Sequence, residues 1–212
     1  MSQNPNKGLL SPFTDAYWRA AVQELKNLRV LVLMAVLVAV SLVVSSFYIP
    51  VAENLRIYFS SVAGWIGGPA VALVYGFVTD IIGFVVHPSG GFFPGYTLTS
   101  MLGPLFYALF FYRAKLSLLR IFLCKLSVNV FINILLGSVW SAMLYGNGYY
   151  FYLAKSTIKN LLLIPIEGVV IALIFSALLP IAVKSGLVPA QQLAFVGRWK
   201  SLWGRMRAFG SR

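Results

Sequence analysis

The sequence predicts an all-α, polytopic membrane protein. Three observations support this prediction: 59% of the 212 residues are hydrophobic, only 10% are charged, and the mean hydropathy is +0.84. An average soluble domain has about 25% charged residues, and long apolar runs recur here with no polar linker between them. We therefore expect a membrane domain at 30–183, a cytoplasmic or interfacial N-terminal segment at 1–29, and a basic amphipathic cytoplasmic tail at 184–212.

Six segments are candidates for transmembrane helices. A hydrocarbon core of about 30 Å needs about 20 helical residues, and the clearest uncharged run is 30–50. The segment 55–68 would reach only about 21 Å, so we expect a short or tilted helix there, followed by a separate helix. The remaining predicted spans are 69–86, 93–112, 116–145 and 157–183.

The basic residues set the expected orientation and account for the net charge of +12. Apart from Arg56, Lys125, Lys155 and Lys159, every Lys and Arg lies in the N-terminal segment, the 113–120 loop or the C-terminal tail. Such segments stay on the cytoplasmic side, so the chain must cross an even number of times between them. This parity favours six helices with both termini cytoplasmic, with five as the alternative. The cations lie in the tails and one short loop and not on one polar module, which argues against a nucleic-acid partner.

The C-terminal tail has the pattern of a helix that lies on membrane headgroups. Phe195, Trp199, Leu202, Met206 and Phe209 fall at helical spacing, with basic residues on the flanks. This arrangement is typical of an interfacial helix on anionic lipid. The alternative is a frayed basic tail.

Several classes of function are excluded by missing motifs. The chain contains no G-x-x-x-x-G-K-[ST] phosphate loop. His87 is the only histidine and Cys124 the only cysteine, which excludes an H-E-x-x-H zinc site, a CxxC motif and an intramolecular disulfide. Asp80 has no aspartate partner for an intramembrane aspartyl protease. We expect no catalytic residue, no metal and no cofactor in this chain, and no enzymatic activity.

Polar residues in and beside the predicted spans are the candidates for a binding site. A charged side chain at the bilayer centre costs about 2.5–3.5 kcal/mol on insertion scales, so it normally faces protein or a water-filled cavity. Together with aromatic rings, such groups at an outer cavity suit a flat, heteroaromatic, anionic ligand. The candidates are Arg56, Asp80, Tyr96, Thr97, Asn129, Asn133, Trp140, Lys155 and Lys159.

Several of the polar residues in and beside the spans also have a simpler structural interpretation. Lys155 and Lys159 could snorkel to headgroups, and Trp140 could belong to an interfacial aromatic belt. Lys125 is expected near the inner surface, where it would snorkel, and Glu167 could be a protonated or paired structural carboxyl. The segments 48–55 and 146–155 are expected to be lids over the outer cavity.

Three stretches carry a resemblance to a known family. They are ENLRIYFSSVAG at 53–64, GFVTDIIGFVVHPSGGFFPGYTLTSMLGPLFYALFFYR at 76–113, and KLSVNVFINILLGSVW at 125–140. In this order and spacing they resemble the folate-specific S components (FolT) of energy-coupling-factor (ECF) vitamin transporters. The resemblance covers most of the membrane domain, from about residue 35 to residue 179.

The resemblance implies a six-helix S component of an ECF-type ABC importer in the bacterial cytoplasmic membrane. Such a protein captures folate or a reduced folate from outside, docks on a transmembrane coupling subunit (the T component), and topples in the membrane. Two ATPase subunits, separate from this chain, would use the ATP. Ala35 and Ala39 form an A-x-x-x-A pair in the first span, where another helix could approach closely, and they match the position of the family's docking patch.

The resemblance also suggests roles for the candidate residues. Asp80 or an asparagine amide would read the edge of the pterin ring, while Tyr96 and Trp140 would stack on planar groups. The cations would neutralise the glutamate carboxylates. The alternatives are an S component for riboflavin, thiamine or a queuine-like base, a small membrane enzyme, and a structural bundle that self-associates through the alanine pair.

Overall fold

The computed structural model describes residues 8–46, 50–86, 91–146 and 148–197. Every regular element within them is helical, which confirms the predicted all-α class. The elements are α1 Asp15–Glu24, α2 Leu28–Ser46, α3 Pro50–Val86, α4 Pro94–Phe111, α5 Leu118–Ser127, a π-helical segment Val128–Leu136, α6 Gly137–Tyr145, α7 Tyr149–Lys184 and a 3-10 turn Ala190–Leu193.

Four stretches of the described helices are long and apolar enough to cross a membrane. The uncharged α4 adds a further 18 residues, or about 27 Å. The chain is thus a multi-pass membrane protein, while the count of six crossings and the cytoplasmic termini stay predictions. The four stretches are Leu28–Ser45, Leu55–Val86, Leu118–Tyr145 and Tyr149–Lys184.

The helix α3 breaks at the place where the sequence predicts a boundary between two helices. Gly68 has φ 74° and ψ 179°, and Pro69 follows it. Proline removes a helical hydrogen bond and clashes with the preceding turn, while glycine adopts a positive φ readily because it has no Cβ. A Cβ at Gly68 would lie 3.0 Å from the ring of Tyr112. The break therefore follows from the Gly68–Pro69 pair, and it packs closely against Tyr112.

A buried aromatic cluster joins α3, α4 and α7 beside this break. Trp65 stacks on Phe175 with ring centroids 4.5 Å apart, and Phe111 meets Phe175 edge-on at 5.0 Å. All three rings are fully buried. Further along the two helices, a Cβ on Gly76 would collide with the Ser100 carbonyl, so α3 and α4 approach each other closely there.

The N-terminal helix α1 packs against the end of the bundle that contains the break. The hydroxyl of Tyr17 donates to the Ala108 carbonyl at 3.0 Å, and burial raises the pKa of that hydroxyl above its ordinary value. Glu24 accepts a hydrogen bond from the Tyr112 hydroxyl at 3.3 Å and pairs with Arg113 at 3.4 Å. These contacts tie α1 to α4 and to the residues that follow it.

The 3-10 turn after α7 is tied to the same end by Gln192, which is 1% exposed. Its side-chain amide donates to the carbonyls of Phe111 at 3.2 Å and Ala114 at 2.7 Å, and its oxygen accepts from the Trp65 indole N–H at 2.9 Å. Phe195 is also buried. The rest of the predicted interfacial tail helix, from Trp199 onwards, lies outside the described residues.

The start of α7 differs from the prediction. We expected a helix from 157 and a lid at 146–155, but α7 begins at Tyr149, so most of the expected lid is helical. Gly146 ends α6 in the left-handed conformation, as is common after a helix, and the turn is complete within a few residues. The expected lid at 48–55 is likewise helical from Pro50 onwards; its first two residues lie outside the described residues.

Candidate functional site: a cationic cavity within the bundle

A cavity of about 620 Å³ lies between α3, α4, the π-helical segment, α6 and α7. This volume is within the usual range for small-molecule sites. Residues three and four apart share one face of a helix, and α7 presents such a stripe to the cavity. The stripe consists of Tyr152, Lys155, Ser156, Lys159, Asn160, Leu163 and Glu167. The cavity walls are therefore formed mainly by helices and not by loops.

Three cations among the residues that the structure describes line this cavity. Arg56 is half-buried on the first half of α3, and the exposed Lys155 and Lys159 lie one turn apart on α7. Glu167 also lines the cavity, but its carboxylate is paired with Lys125 at 2.9 Å. The charge of the lining is thus net positive, which raises the local concentration of anionic solutes.

A closed ring of hydrogen bonds joins three asparagines and one serine in the wall between the π-helical segment and α7. Asn133 donates to the Asn129 side-chain oxygen at 2.9 Å, and Asn129 donates to the Asn160 carbonyl at 3.0 Å. Asn160 then donates to the Ser156 hydroxyl at 3.1 Å, which donates to the Asn133 carbonyl at 3.0 Å. Satisfied polar networks of this kind fix the positions of their members. The cavity-lining amide of Asn133 is therefore held in place.

Hydroxyl groups of α4 connect the cavity wall to two polar side chains behind it. Thr97 and Ser100 donate to the two carboxylate oxygens of Asp80 at 2.7 and 2.9 Å. The Trp140 indole N–H donates to the Thr99 hydroxyl at 3.0 Å. Ser100 and Thr99 line the cavity themselves. Asp80 and Trp140 thus orient the wall through these hydroxyls.

The structure brings all nine predicted candidate residues to one place, in two layers. The lining contains Arg56, Tyr96, Asn133, Lys155 and Lys159. Directly behind it, hydrogen-bonded to lining residues or to one another, are Asp80, Thr97, Asn129 and Trp140. Four of the nine candidates therefore support the cavity wall, where the sequence alone suggested direct contact with a ligand.

The alanine pair lies elsewhere, on the outer face of α2. Ala35 and Ala39 are exposed, and the valines beside them on the same helix are exposed as well. Met34 and Val38 face the core. The described residues contain no group of three or more His, Cys, Asp or Glu side chains that could hold a metal ion.

Two known proteins that are similar to this chain have the same name. A protein named Folate transporter FolT from Clostridium novyi (strain NT) is 28% identical over 151 residues, which cover 69% of this chain and 88% of the relative. Another of that name, from Leuconostoc mesenteroides subsp. mesenteroides, is 32% identical over 151 residues and covers 66% and 80%. No family model matches the chain.

A solved structure gives the same result. The crystal structure of FolT bound with folic acid has a TM-score of 0.60 and 31% sequence identity to this chain, and the match covers 66% of this chain and 89% of that one. The chain belongs to the FolT family.

One polar pair of this FolT-family chain corrects a prediction. Lys125 was expected to snorkel to headgroups, and this is wrong, because its side chain is fully buried and contacts Glu167. The two residues are far apart in the chain and on different helices. The sequence allowed a paired Glu167, but no spacing rule links the two residues, so Lys125 was not identified as its partner.

Two further features of the cavity in this FolT-family chain were not predicted. The segment Val128–Leu136 is π-helical, a rare geometry that is frequent at functional sites. Tyr107 of α4 lines the cavity and is 1% exposed. A tyrosine in an apolar run reads as core in a sequence, so only the structure assigns it to the site.

Proposed function

We propose that this chain is the substrate-binding S component of an ECF-type importer and that it binds folate in the 620 Å³ cavity. The observation that supports the proposal best is the cavity itself, a cation-lined site on a helical framework similar to that of FolT bound with folic acid. The relatives are named transporters. We therefore also propose that the chain releases its ligand unchanged and is not an enzyme.

The chemistry of folate matches the lining. Folate is a flat pterin joined through an aminobenzoyl group to a glutamate, so it is heteroaromatic at one end and anionic at the other. Arg56, Lys155 and Lys159 would receive the carboxylates, since hydrogen bonds between such cations and carboxylates are roughly twice as strong as neutral ones. Tyr96 would pack against a planar group, and Asn133 would donate or accept a hydrogen bond.

The exposed face of α2 supports the proposal that the chain docks on a T component, as an S component does. Ala35 and Ala39 present little side-chain volume, and small residues let the backbone of another helix approach closely. A T component would dock there, and two ATPase subunits bound to it would supply energy. Toppling of the whole S component in the membrane would then bring the cavity from the extracellular to the cytoplasmic side.

Folate binding is tested by calorimetry on the purified protein in detergent. We expect saturable binding of folate and no comparable binding of riboflavin, thiamine or queuine. Binding of one of these compounds in place of folate would assign the chain to another vitamin. Mass spectrometry of the recovered ligand tests for enzymatic activity, because a carrier returns folate intact.

The docking role is tested with Ala35→Leu/Ala39→Leu. The two leucines should block close helix contact, so uptake into cells that also contain the T component and the ATPases should be lost. Folate affinity of the purified variant should stay unchanged, because neither alanine lines the cavity. The matched control is Val40→Leu, an exposed position on the same helix that is not three or four residues from either alanine. Full uptake by the double variant would contradict docking at this patch.

A further inference from the structure

A buried ion pair closes the end of the cavity away from the cations. Lys125 of α5 and Glu167 of α7 are 2.9 Å apart, with side chains 0% and 5% exposed. Burying two charges costs desolvation energy that their attraction repays only in part, and an apolar pair of similar size is often as stable or more so. Helix packing alone is thus a weak explanation for the pair.

Glu167 is the member of the pair that faces the cavity. Glu167 lines the cavity, while Lys125 lies behind it. Twelve residues of α7 separate Glu167 from Lys155, which places the carboxylate about 18 Å along the helix from that lysine. The cavity is therefore cationic at one end and carries an oriented carboxylate at the other.

Tyr107 adds a second polar group to this end. Its hydroxyl is buried and has no hydrogen-bond partner among the described residues, although the residue lines the cavity together with Glu167. A buried hydroxyl left unpaired destabilises the protein, because its lost hydrogen bonds to water are not replaced. A ligand that supplies a partner would remove this cost.

The carboxylate selects the kind of group that can bind there. A carboxylate only accepts hydrogen bonds, and each of its oxygens has two lone pairs, so Glu167 can contact Lys125 and still accept from a ligand. Two adjacent N–H donors on a planar ring would match its two oxygens, in the same way that an arginine fork does. The ring N–H and exocyclic amine of a 2-amino-4-oxo-pyrimidine provide such a pair of donors.

We propose that Glu167 is a specificity-determining residue that accepts hydrogen bonds from the 2-amino-pyrimidine edge of the ligand's heterocycle. Lys125 acts as a positioning residue, and Tyr107 supplies a further hydrogen bond. This inference rests on the proposed function, because that edge belongs to the pterin of folate. It assigns ring recognition to a pair of residues outside the set chosen from the sequence.

The decisive experiment combines a variant with a modified ligand. Calorimetry compares wild type and Glu167→Gln with folate and with 2-desaminofolate, which lacks the exocyclic amine. We expect Glu167→Gln to weaken folate binding by about 10- to 100-fold and to change binding of the desamino analogue by less than about threefold. An equal loss for both ligands, or no loss for folate, overturns the proposal.

A second variant addresses a purely structural role of the pair. In Lys125→Met/Glu167→Met the charges are replaced by apolar side chains of similar length, a change that buried pairs often tolerate. We expect a folded protein with the same loss of folate affinity as Glu167→Gln, whereas affinity equal to wild type shows that the pair only joins α5 to α7. Ser176→Ala is the matched control on α7, because its hydroxyl donates to Leu173 within its own helix.

Lys125→Arg tests the positioning role, because it keeps the positive charge. This variant should retain the preference for folate over 2-desaminofolate, and loss of that preference would contradict the role. Failure of the inference is distinguishable from failure of the proposed function. If wild type has no affinity for folate, the function itself is wrong; if wild type binds folate and Glu167→Gln binds it equally well, only the inference fails.

Discussion

The two ends of the helical bundle are built on different physical principles. Around the break at Gly68, buried rings and Gln192 fill the space between α3, α4 and α7. At the other end, the same helices separate around a cavity lined by cations, hydroxyls and amides. Under the proposed function, the packed end supplies stability and the open end supplies binding. Substitutions should therefore affect one property and spare the other.

The largest expected effect is on the packed end. Trp65→Ala should lower the free energy of unfolding by about 3–5 kcal/mol, because it creates a cavity under Phe175 and removes the hydrogen bond to Gln192. Thermal unfolding in detergent measures the loss. The control is Trp65→Phe, which keeps a ring. Folate affinity, measured below the unfolding transition, should stay within about twofold of wild type. A large loss of affinity in the folded variant would contradict the idea that one end supplies stability and the other supplies binding.

A smaller effect is expected from two cations of the open end. Lys155→Ala/Lys159→Ala should weaken folate binding by roughly 30-fold, or about 2 kcal/mol. The salt dependence of folate binding should also fall, because two of the charges that salt screens are gone. Thermal stability should change little, because both lysines are exposed. Lys184→Ala, on the same helix but away from the cavity, is the control. Unchanged affinity in the double variant would show that the lysines only face headgroups.

The smallest effect is expected at Asn133, in the closed ring of hydrogen bonds of the cavity wall. Asn133→Ala should weaken folate binding about fivefold, or ~1 kcal/mol, because it removes a fixed hydrogen-bonding group from the cavity wall. Calorimetry measures the change. The control is Ser127→Ala, since that hydroxyl donates to Leu123 within its own helix. Affinity equal to wild type would remove Asn133 from the site.

The sequence predicted the fold where local rules apply. The break at Gly68 follows from a glycine–proline pair. The hydrogen bond between the Asn133 and Asn129 side chains follows from helical spacing, because residues four apart share one face of a helix. Both features depend on residues close together in the chain. Composition likewise predicted the membrane class, because it does not depend on which helices are neighbours.

The rest depends on contacts between distant segments, which periodicity does not encode. Lys125 and Glu167 meet across two helices, and Trp65 and Gln192 are 127 positions apart. The sequence indicated that Asp80 is a membrane carboxylate with a function. Only the structure shows that Thr97 and Ser100 occupy its two oxygens. The candidate residues could thus be predicted as a set, but not their division into lining and support.

The central claim, that folate occupies this cavity from the extracellular side, is tested most directly by thiol labelling. The single native cysteine, Cys124, is buried, so a cysteine introduced at Ser141, in the cavity lining, can be followed alone in intact cells with a membrane-impermeant maleimide. The control is Tyr150→Cys, because Tyr150 is 82% exposed and lies outside the cavity lining. We predict labelling of both sites from outside, with folate protecting only position 141. Absence of labelling at 141, or labelling there that saturating folate does not slow, would contradict the account.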